Sequence, residues 1–274
     1  MTWASHIPSS EPVIGDEIGA PDTPSGLSTG YEARDYSAYP GGYYAPMYEA
    51  DNLVPRDEWY ERAMSLEREE YRLSDFARRR GLEVKNQNGT NYCWINGVTF
   101  ACELQRMLQG QEHKELSPAS GGSIIKKFRN NGGWGDQAAE FIQQHGLVPE
   151  SLWPPNAIDR SYDTDQAWQA ADRYTIDEWN ELRPRSMDDL YSCLLRGMPV
   201  PVGYNWWRHL VCAVDVVVFR KPNGTSDREM LRCFGIRIAN SWGTSWGDRG
   251  YGILKGSKQL ADGQLVIRSM RLTS

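Results

Sequence analysis

The sequence predicts an α+β domain in which helices come first and the strands of an antiparallel sheet follow. Residues 93–109, 134–145 and 187–196 have helical patterns, and the last two are followed by Gly146 and Gly197. The later runs PVPVGYN, HLVCAVDVVVFR, EMLRCFGIRIANSW and YGILKG are rich in strand-forming residues and are separated by turns. Helices grouped before strands are typical of this fold class.

The first 54 residues differ in composition from the rest of the chain. Residues 1–54 are rich in Gly, Pro, Ser and Tyr, contain few aliphatic residues and have no helical period. Such a segment cannot bury enough apolar surface to fold alone. We expect either a flexible tail or an arm whose tyrosines become ordered against protein assembly partners.

A charged helical pattern separates this N-terminal arm from the domain. Residues 55–80 are mostly helix formers, begin at Pro55 with acidic residues, and run to Gly81. The apolar residues at roughly helical spacing are Trp59, Ala63, Leu66 and Tyr71. The pattern predicts one short amphipathic helix packed on the domain, so we assign 55–69 as a connector and 70–274 as the folded domain.

Charge and cysteine content exclude several classes of protein. The net charge is -6 and no basic stripe is present, which argues against nucleic-acid binding. No apolar stretch is long enough for a membrane helix, and the N-terminus is not a classical signal peptide. The five cysteines are odd in number and lack metal-ligand spacing, so we expect reduced thiols, no metal and no cofactor. These features predict a protein of the cytoplasm, or of an assembly made there.

Cys93 is the candidate nucleophile. It lies where the polar loop NQNGTNY runs into the predicted helix 93–109. The positive end of the helix dipole and its free N–H groups would lower the pKa of this thiol. Most free cysteines are instead small buried apolar residues, which suits the four that lie in apolar runs: Cys102, Cys193, Cys212 and Cys233.

Two downstream residues fit the roles of base and orienting group. His209 begins an apolar strand pattern, whereas His113 and His145 look solvent-facing. Asn240 ends a strand pattern, and an asparagine can accept the ring N–H of a histidine and fix its tautomer. The plainer alternatives are a satisfied core histidine and a turn asparagine.

The order of these segments resembles the papain-like cysteine peptidases, of which the chain would be a divergent member. VKNQNGTNYCW is similar to the family's V-K-N-Q-G-x-C-G-S-C-W segment, and RHLVCAV to its histidine segment. NNGGWGDQAAEFIQQHGLVPESLWP is similar to its N-G-G segment, and NSWGTSWGDRGY is nearly its signature without change. The likeness covers residues from about 70 to 255.

The resemblance implies a helical N-terminal lobe with the nucleophile on a long central helix, an antiparallel β-sheet or barrel C-terminal lobe, and a cleft between them. It implies that Cys93 attacks a carbonyl, His209 shuttles the proton and Asn240 orients His209. Gln87 and the backbone N–H of Cys93 would form the oxyanion hole, where one donor is worth about 3 kcal/mol. The substrate-binding residues implied in the same way are Gly132, Gly133, Trp134, Trp242, Gly203 and Leu210.

Several positions depart from the family pattern. Tyr92 precedes the nucleophile in place of a small residue, and its bulk would narrow the primed side of the cleft. The fixed charge of Arg208 would oppose protonation of His209. Trp206 and Trp207 lie in a shortened loop, where they would line or block the cleft, so no side-chain preference is predicted.

Three functions remain open at this point. The first is an endopeptidase or amide hydrolase that acts on a peptide or protein substrate through the Cys-His-Asn triad. The second is a structural or assembly component, for example of a virus particle, that uses the fold without turnover and binds partners through the arm. The third is transglutaminase-like transfer or cell-wall peptide hydrolysis by the same nucleophile.

Overall fold

The computed structural model describes residues 4–17, 28–35 and 53–272. Its helices are α1 Trp59–Arg68, α2 Leu73–Arg79, α3 Cys93–Leu108, α4 Pro118–Ile125, α5 Gly135–His145, α6 Asp165–Ala171, α7 Met187–Leu194 and α8 Asp227–Cys233. Its strands are β1 Val13–Ile14, β2 Ile176–Glu181, β3 Val200–Tyr204, β4 His209–Val218, β5 Phe234–Ala239, β6 Tyr251–Lys255 and β7 Gly263–Met270.

The strands described form one sheet in the order β1-β6-β5-β4-β3-β7-β2. Neighbouring strands are antiparallel, apart from β1, which pairs in parallel with β6. Helices together with this sheet confirm the predicted α+β class. β4 is buried along its whole length because it lies in the middle of the sheet and is covered by helices.

Helix α3 is the central element of the helical part of the domain. All of its residues except the last are buried, and it packs against β4, β7 and α5. Gly97 allows the close approach to β4, because a Cβ there would lie 2.5 Å from Leu210 Cδ2. This packing brings the first residue of α3, Cys93, to the end of the sheet where β4 begins.

The first described part of the N-terminal arm, residues 4–17, packs on the domain of its own chain. Its strand β1 extends the sheet at β6. The Glu11 carboxylate accepts from Arg237 Nε at 2.6 Å and Nη2 at 2.8 Å, and Arg237 Nη1 donates to Asp215 at 3.1 Å. All three side chains are buried, so ion pairs inside the protein hold this part of the arm.

Three local predictions differ from the structure. The single helix predicted over 55–80 is two helices, α1 and α2, because Glu70 between them adopts a left-handed φ of 57°. Tyr71 consequently lies outside the helices and is 67% exposed. The residues EMLRC form α8 instead of a strand, since Ser226 caps the first turn by accepting from Glu229 N–H.

Candidate active site

The site lies where the first residues of α3 and β4 meet. Cys93 begins the helix and His209 begins the strand, and both are fully buried. The backbone N–H of Leu210, which follows the histidine, approaches the Cys93 thiol. The fold therefore brings the predicted nucleophile beside the segment that carries the predicted base.

A hydrogen-bond chain fixes the tautomer of His209. The backbone N–H of Ser241 donates to Asn240 Oδ1 at 2.8 Å, which identifies that atom as the oxygen of the amide. His209 Nε2 lies 2.7 Å from the same oxygen, so Nε2 carries the ring proton. Nδ1 is then a lone-pair acceptor, and it is buried without a hydrogen-bond partner among the residues described. A base with this tautomer can take a proton at Nδ1.

Aromatic rings enclose the histidine. The Trp242 ring stacks on His209 with centroids 4.8 Å apart, and Trp207 contacts it edge-on at the same distance. Burial lowers the pKa of His209 to about 4, although the hydrogen bond to Asn240 opposes the shift. A lowered pKa of His209 is also what the charge of Arg208 was expected to cause. The cause is burial, however, since the Arg208 side chain is exposed.

The Cys93 thiol does not have the low pKa that its place at a helix N-terminus predicts. Burial raises its pKa to about 12, although N–H groups of Leu210, Gly30, Trp94 and Tyr31 oppose the shift. Two of those N–H groups belong to the N-terminal arm. In this arrangement Cys93 is a neutral thiol and His209 a neutral imidazole.

The side chain of Gln87 is oriented by a neighbour that the sequence did not indicate. Ser241 Oγ donates to Gln87 Oε1 at 2.6 Å, which turns the amide nitrogen toward the cleft. Gln87 Nε2 donates to the carbonyl oxygen of Ser28 at 2.8 Å, and Trp242 Nε1 donates to the same oxygen at 3.1 Å. The Ser28 carbonyl thus occupies the acceptor position that the resemblance assigns to a substrate carbonyl.

Residues 28–35, hereafter the cleft segment, lie along the predicted substrate-binding glycines. Gly133 N–H donates to Gly30 O at 2.9 Å, and Glu32 N–H donates to Gly133 O at 3.2 Å. Tyr31 N–H donates to Arg208 O at 3.1 Å. The bridge between Tyr31 and Gly133 is parallel. The structure therefore shows an extended peptide of the same chain in the cleft.

The other predicted binding residues also contact the cleft segment or surround it. Trp134 Nε1 donates to Glu32 O at 3.1 Å. Gly132 is close enough that a Cβ would lie 2.4 Å from Gly30 O. Gly203 and Leu210 border the pocket that holds Tyr31. Neither this segment nor the contacts it makes could be read from the composition of residues 1–54.

Of the bulky residues that depart from the family pattern, Tyr92 does not narrow the cleft as predicted. Tyr92 is 1% exposed and turns into the helical core, where its hydroxyl donates to Arg129 O at 2.8 Å. Trp207 packs on His209, and Trp206 stacks on Trp207 with centroids 5.4 Å apart. Tyr92 cannot narrow the primed side from this position.

The cysteine, histidine and acidic side chains form no second centre in the described part of the chain. All five cysteines are buried and free of disulfides. Within residues 4–17, 28–35 and 53–272, no group of three or more His, Cys, Asp or Glu side chains could hold a metal ion. No helix in those ranges has the length and apolar character needed to cross a membrane.

Comparison with known proteins identifies the domain. Residues 74–270 match the family model described as papain family cysteine protease. Cathepsin L 2 of Paramecium tetraurelia is 27% identical over 175 residues, which cover 61% of this chain and 54% of that protein. A cysteine protease of Blomia tropicalis is 26% identical over 193 residues, covering 63% of this chain and 57% of that protein. The chain spans about half the length of the curated relatives it matches.

Solved structures show the same architecture. Xylellain, a cysteine protease from Xylella fastidiosa, aligns with a TM-score of 0.57 at 20% identity, covering 91% of this chain and 98% of that one. Procathepsin L 3 from the larval midgut of Tenebrio molitor aligns with a TM-score of 0.53 at 22% identity, covering 69% and 66%. The papain-like fold predicted from the sequence is confirmed. The chain belongs to the papain family of cysteine proteases.

Proposed function

We propose that the protein is a cysteine peptidase in which Cys93 is the nucleophile, His209 the base, Asn240 the orienting residue and Gln87 an oxyanion donor. The observation that carries this proposal is the bonding of Asn240, whose oxygen accepts from both Ser241 N–H and His209 Nε2. It leaves Nδ1 of His209 unprotonated in a buried site, which is the form that a general base requires.

The reaction follows from these positions. Nδ1 takes the proton from the Cys93 thiol as the sulfur bonds to the carbonyl carbon of the substrate. The carbonyl oxygen becomes an oxyanion and accepts from Gln87 Nε2, a donor worth about 3 kcal/mol in such sites. His209 then gives its proton to the leaving amine as the peptide C–N bond breaks. Water, deprotonated by His209, then adds to the thioester carbon. The C–S bond breaks to release the acid, and His209 gives the proton to the leaving sulfur.

We propose that the cleft segment keeps this site inactive in the resting protein. The N–H groups of Gly30 and Tyr31 approach the Cys93 sulfur, so the segment presents amide hydrogens to the thiol, while its Ser28 carbonyl oxygen accepts from Gln87 Nε2. The segment also excludes water, which leaves the thiol and the imidazole neutral. Once the segment leaves, water lowers the cost of charging both groups, and the thiolate–imidazolium pair becomes accessible.

Covalent labelling with an epoxysuccinyl peptide tests the proposal. The expected product is one adduct at Cys93, formed in wild type and lost or strongly slowed in Cys93→Ala and His209→Ala, as measured by intact mass and peptide mapping. Cys102→Ala, a buried cysteine on the same helix, and His145→Ala, an exposed histidine, are the matched controls. Labelling at Cys93 that is as fast in His209→Ala as in wild type would contradict the assigned base.

The other functions gain no supporting observation. The relatives reported above are cysteine proteases, and none supports an assembly component, a transferase or a cell-wall hydrolase. The described parts of the arm contact their own domain, and the proposed assembly partners of residues 1–54 stay a prediction. The cytoplasmic location and the lack of nucleic-acid binding likewise stay predictions.

A further inference from the structure

The cleft segment places one side chain in a pocket. Tyr31 is 2% exposed, and its ring lies over Gly203 of β3. A Cβ at Gly203 would lie 2.4 Å from Tyr31 Cε2 and 2.9 Å from its hydroxyl oxygen, so glycine is what makes room for the ring. Leu210 and Leu265 supply apolar walls.

Tyr31 fills this pocket closely. The space left beside the ring is about 10 Å³, which accommodates about one water molecule. A tyrosine therefore meets the packing density of a protein interior in this position, and a small side chain would leave a cavity.

The pocket also has an acidic border. Asp136 of α5 and Glu181 of β2 line it, and they are 6% and 7% exposed. Burial, followed by the charge of Asp136, raises the pKa of Glu181 to about 7. Arg34 of the cleft segment donates to Asp136 at 2.5 Å. Carboxyl oxygens beside an aromatic pocket can accept a hydrogen bond from the phenolic hydroxyl of tyrosine. Phenylalanine and leucine have no hydroxyl group and cannot donate this bond.

The position of this pocket along a substrate follows from the direction of the cleft segment. Gly30 lies beside the sulfur, and Tyr31 is its neighbour in the pocket. Backbone C=O and N–H groups change places when a peptide runs in the opposite direction. A carbonyl group can then lie beside the sulfur, where the cleft segment has N–H groups. Such a peptide has its scissile residue where Gly30 lies and the preceding residue in the pocket.

We infer that this pocket, built from Gly203, Leu210, Leu265, Asp136 and Glu181, makes the enzyme select tyrosine at the residue that precedes the scissile residue. The inference rests on the proposed peptidase function and names its substrate class: peptides and proteins with tyrosine two positions before the cleaved bond. Tyr31 is a copy of that side chain carried by the protein itself.

The test uses the full chain with the substitution Gly30→Ala. A Cβ at residue 30 would lie 1.9 Å from the backbone oxygen of Asn91, so alanine displaces the cleft segment. Fluorogenic peptides that differ only in the pocket residue are then compared. We expect kcat/KM for tyrosine to exceed that for alanine by about tenfold or more and that for phenylalanine by about threefold. Tyr31→Ala serves as a second opened variant if Gly30→Ala folds poorly.

Two pocket variants sharpen the test when they are combined with Gly30→Ala. Gly203→Ala places a methyl group where the ring lies and should lower the tyrosine-to-alanine ratio toward one. Glu181→Leu, which removes the acceptor oxygens, should lower the tyrosine-to-phenylalanine ratio. Equal rates for tyrosine and alanine, or a preference for leucine or arginine, would overturn the pocket assignment and leave the peptidase proposal standing.

Binding separates the two proposals if no peptide is cleaved. The Gly30→Ala, Cys93→Ala double variant is titrated calorimetrically with the same peptides. Tyrosine binding about tenfold tighter than alanine would support the pocket even without turnover, in which case only the peptidase proposal fails. Equal binding of all peptides would overturn the pocket directly.

Discussion

Two described segments of the N-terminal arm, residues 4–17 and 28–35, contact the domain, and different forces hold them. Residues 4–17 add β1 to the sheet edge and bury Glu11 against Arg237. Residues 28–35 lie over Cys93 and are held by backbone hydrogen bonds, the ring of Tyr31 and the pair between Arg34 and Asp136. The first contact involves β1, Glu11 and Arg237 and none of the reacting groups, so we assign it to the stability of the fold. The second covers the reacting groups, so we expect its loss to change activity.

Breaking the first contact should have the largest effect on stability. Glu11→Gln removes one of the two carboxylates that pair with the buried Arg237 guanidinium. We expect a loss of about 3 kcal/mol in the free energy of unfolding, seen as a drop of about 10 °C in Tm. Calorimetry of wild type and Glu11→Gln measures it, with the exposed Glu17→Gln as control. An unchanged Tm would show that the ion pairs do not anchor the arm.

The buried histidine should make the resting protein sensitive to acid. Its folded pKa is about 4 and its ordinary value is 6.5, so the unfolded chain binds the proton first as the pH falls. The stability that neutral His209 contributes is present above pH 6.5 and is lost between about 6.5 and 4, up to about 3 kcal/mol.

Denaturant unfolding at a series of pH values measures this loss as a difference between variants. The difference in stability between wild type and His209→Gln should shrink as the pH falls through that window. The same comparison with His145→Gln, which replaces an exposed histidine, should show no such trend. A constant difference for His209→Gln would mean that the histidine is hydrated in the resting protein.

Opening the second contact should change reactivity more than stability. Gly30→Ala creates a clash with the Asn91 backbone that no side-chain rotation relieves. Burial of the Tyr31 side chain favours the state in which the cleft segment covers Cys93. Displacing the segment should therefore raise the rate of Cys93 labelling at neutral pH by about 10- to 100-fold. The Tm should fall by far less than in Glu11→Gln. Gly224→Ala is the control, since a Cβ there meets no atom within 4 Å.

The sequence predicted those parts of the site that depend on local pattern. Cys93 at a helix start, His209 at a strand start and Asn240 at a strand end could be read from neighbouring residues. The pKa of Cys93 could not, because a helix terminus acts locally whereas the burial that raises the pKa of this thiol depends on the tertiary packing around it. Nothing in the composition of the arm distinguishes Tyr31 from its other tyrosines.

The secondary structure likewise contains elements that the local sequence pattern predicts and elements that it does not. The apolar run of β4 predicted a strand, but β2 and β7 were not predicted. The sequence of β2, IDEWNE, has no alternation of apolar and polar residues, and this strand is stabilised by pairing with β7. Helix α4, PASGGSII, has two glycines and low intrinsic helix propensity, and it forms because it is buried against α3 and α5. Tertiary contacts decide these elements.

The ¹⁵N chemical shifts of the His209 ring test the central claim, that the cleft segment holds a correctly oriented but uncharged base beside a neutral thiol. In wild type at neutral pH we expect a neutral ring with the proton on Nε2 and Nδ1 unprotonated. In Gly30→Ala we expect a shift toward imidazolium that disappears when Cys93→Ala is added. An imidazolium in wild type, or a neutral ring with the proton on Nδ1, would contradict the account.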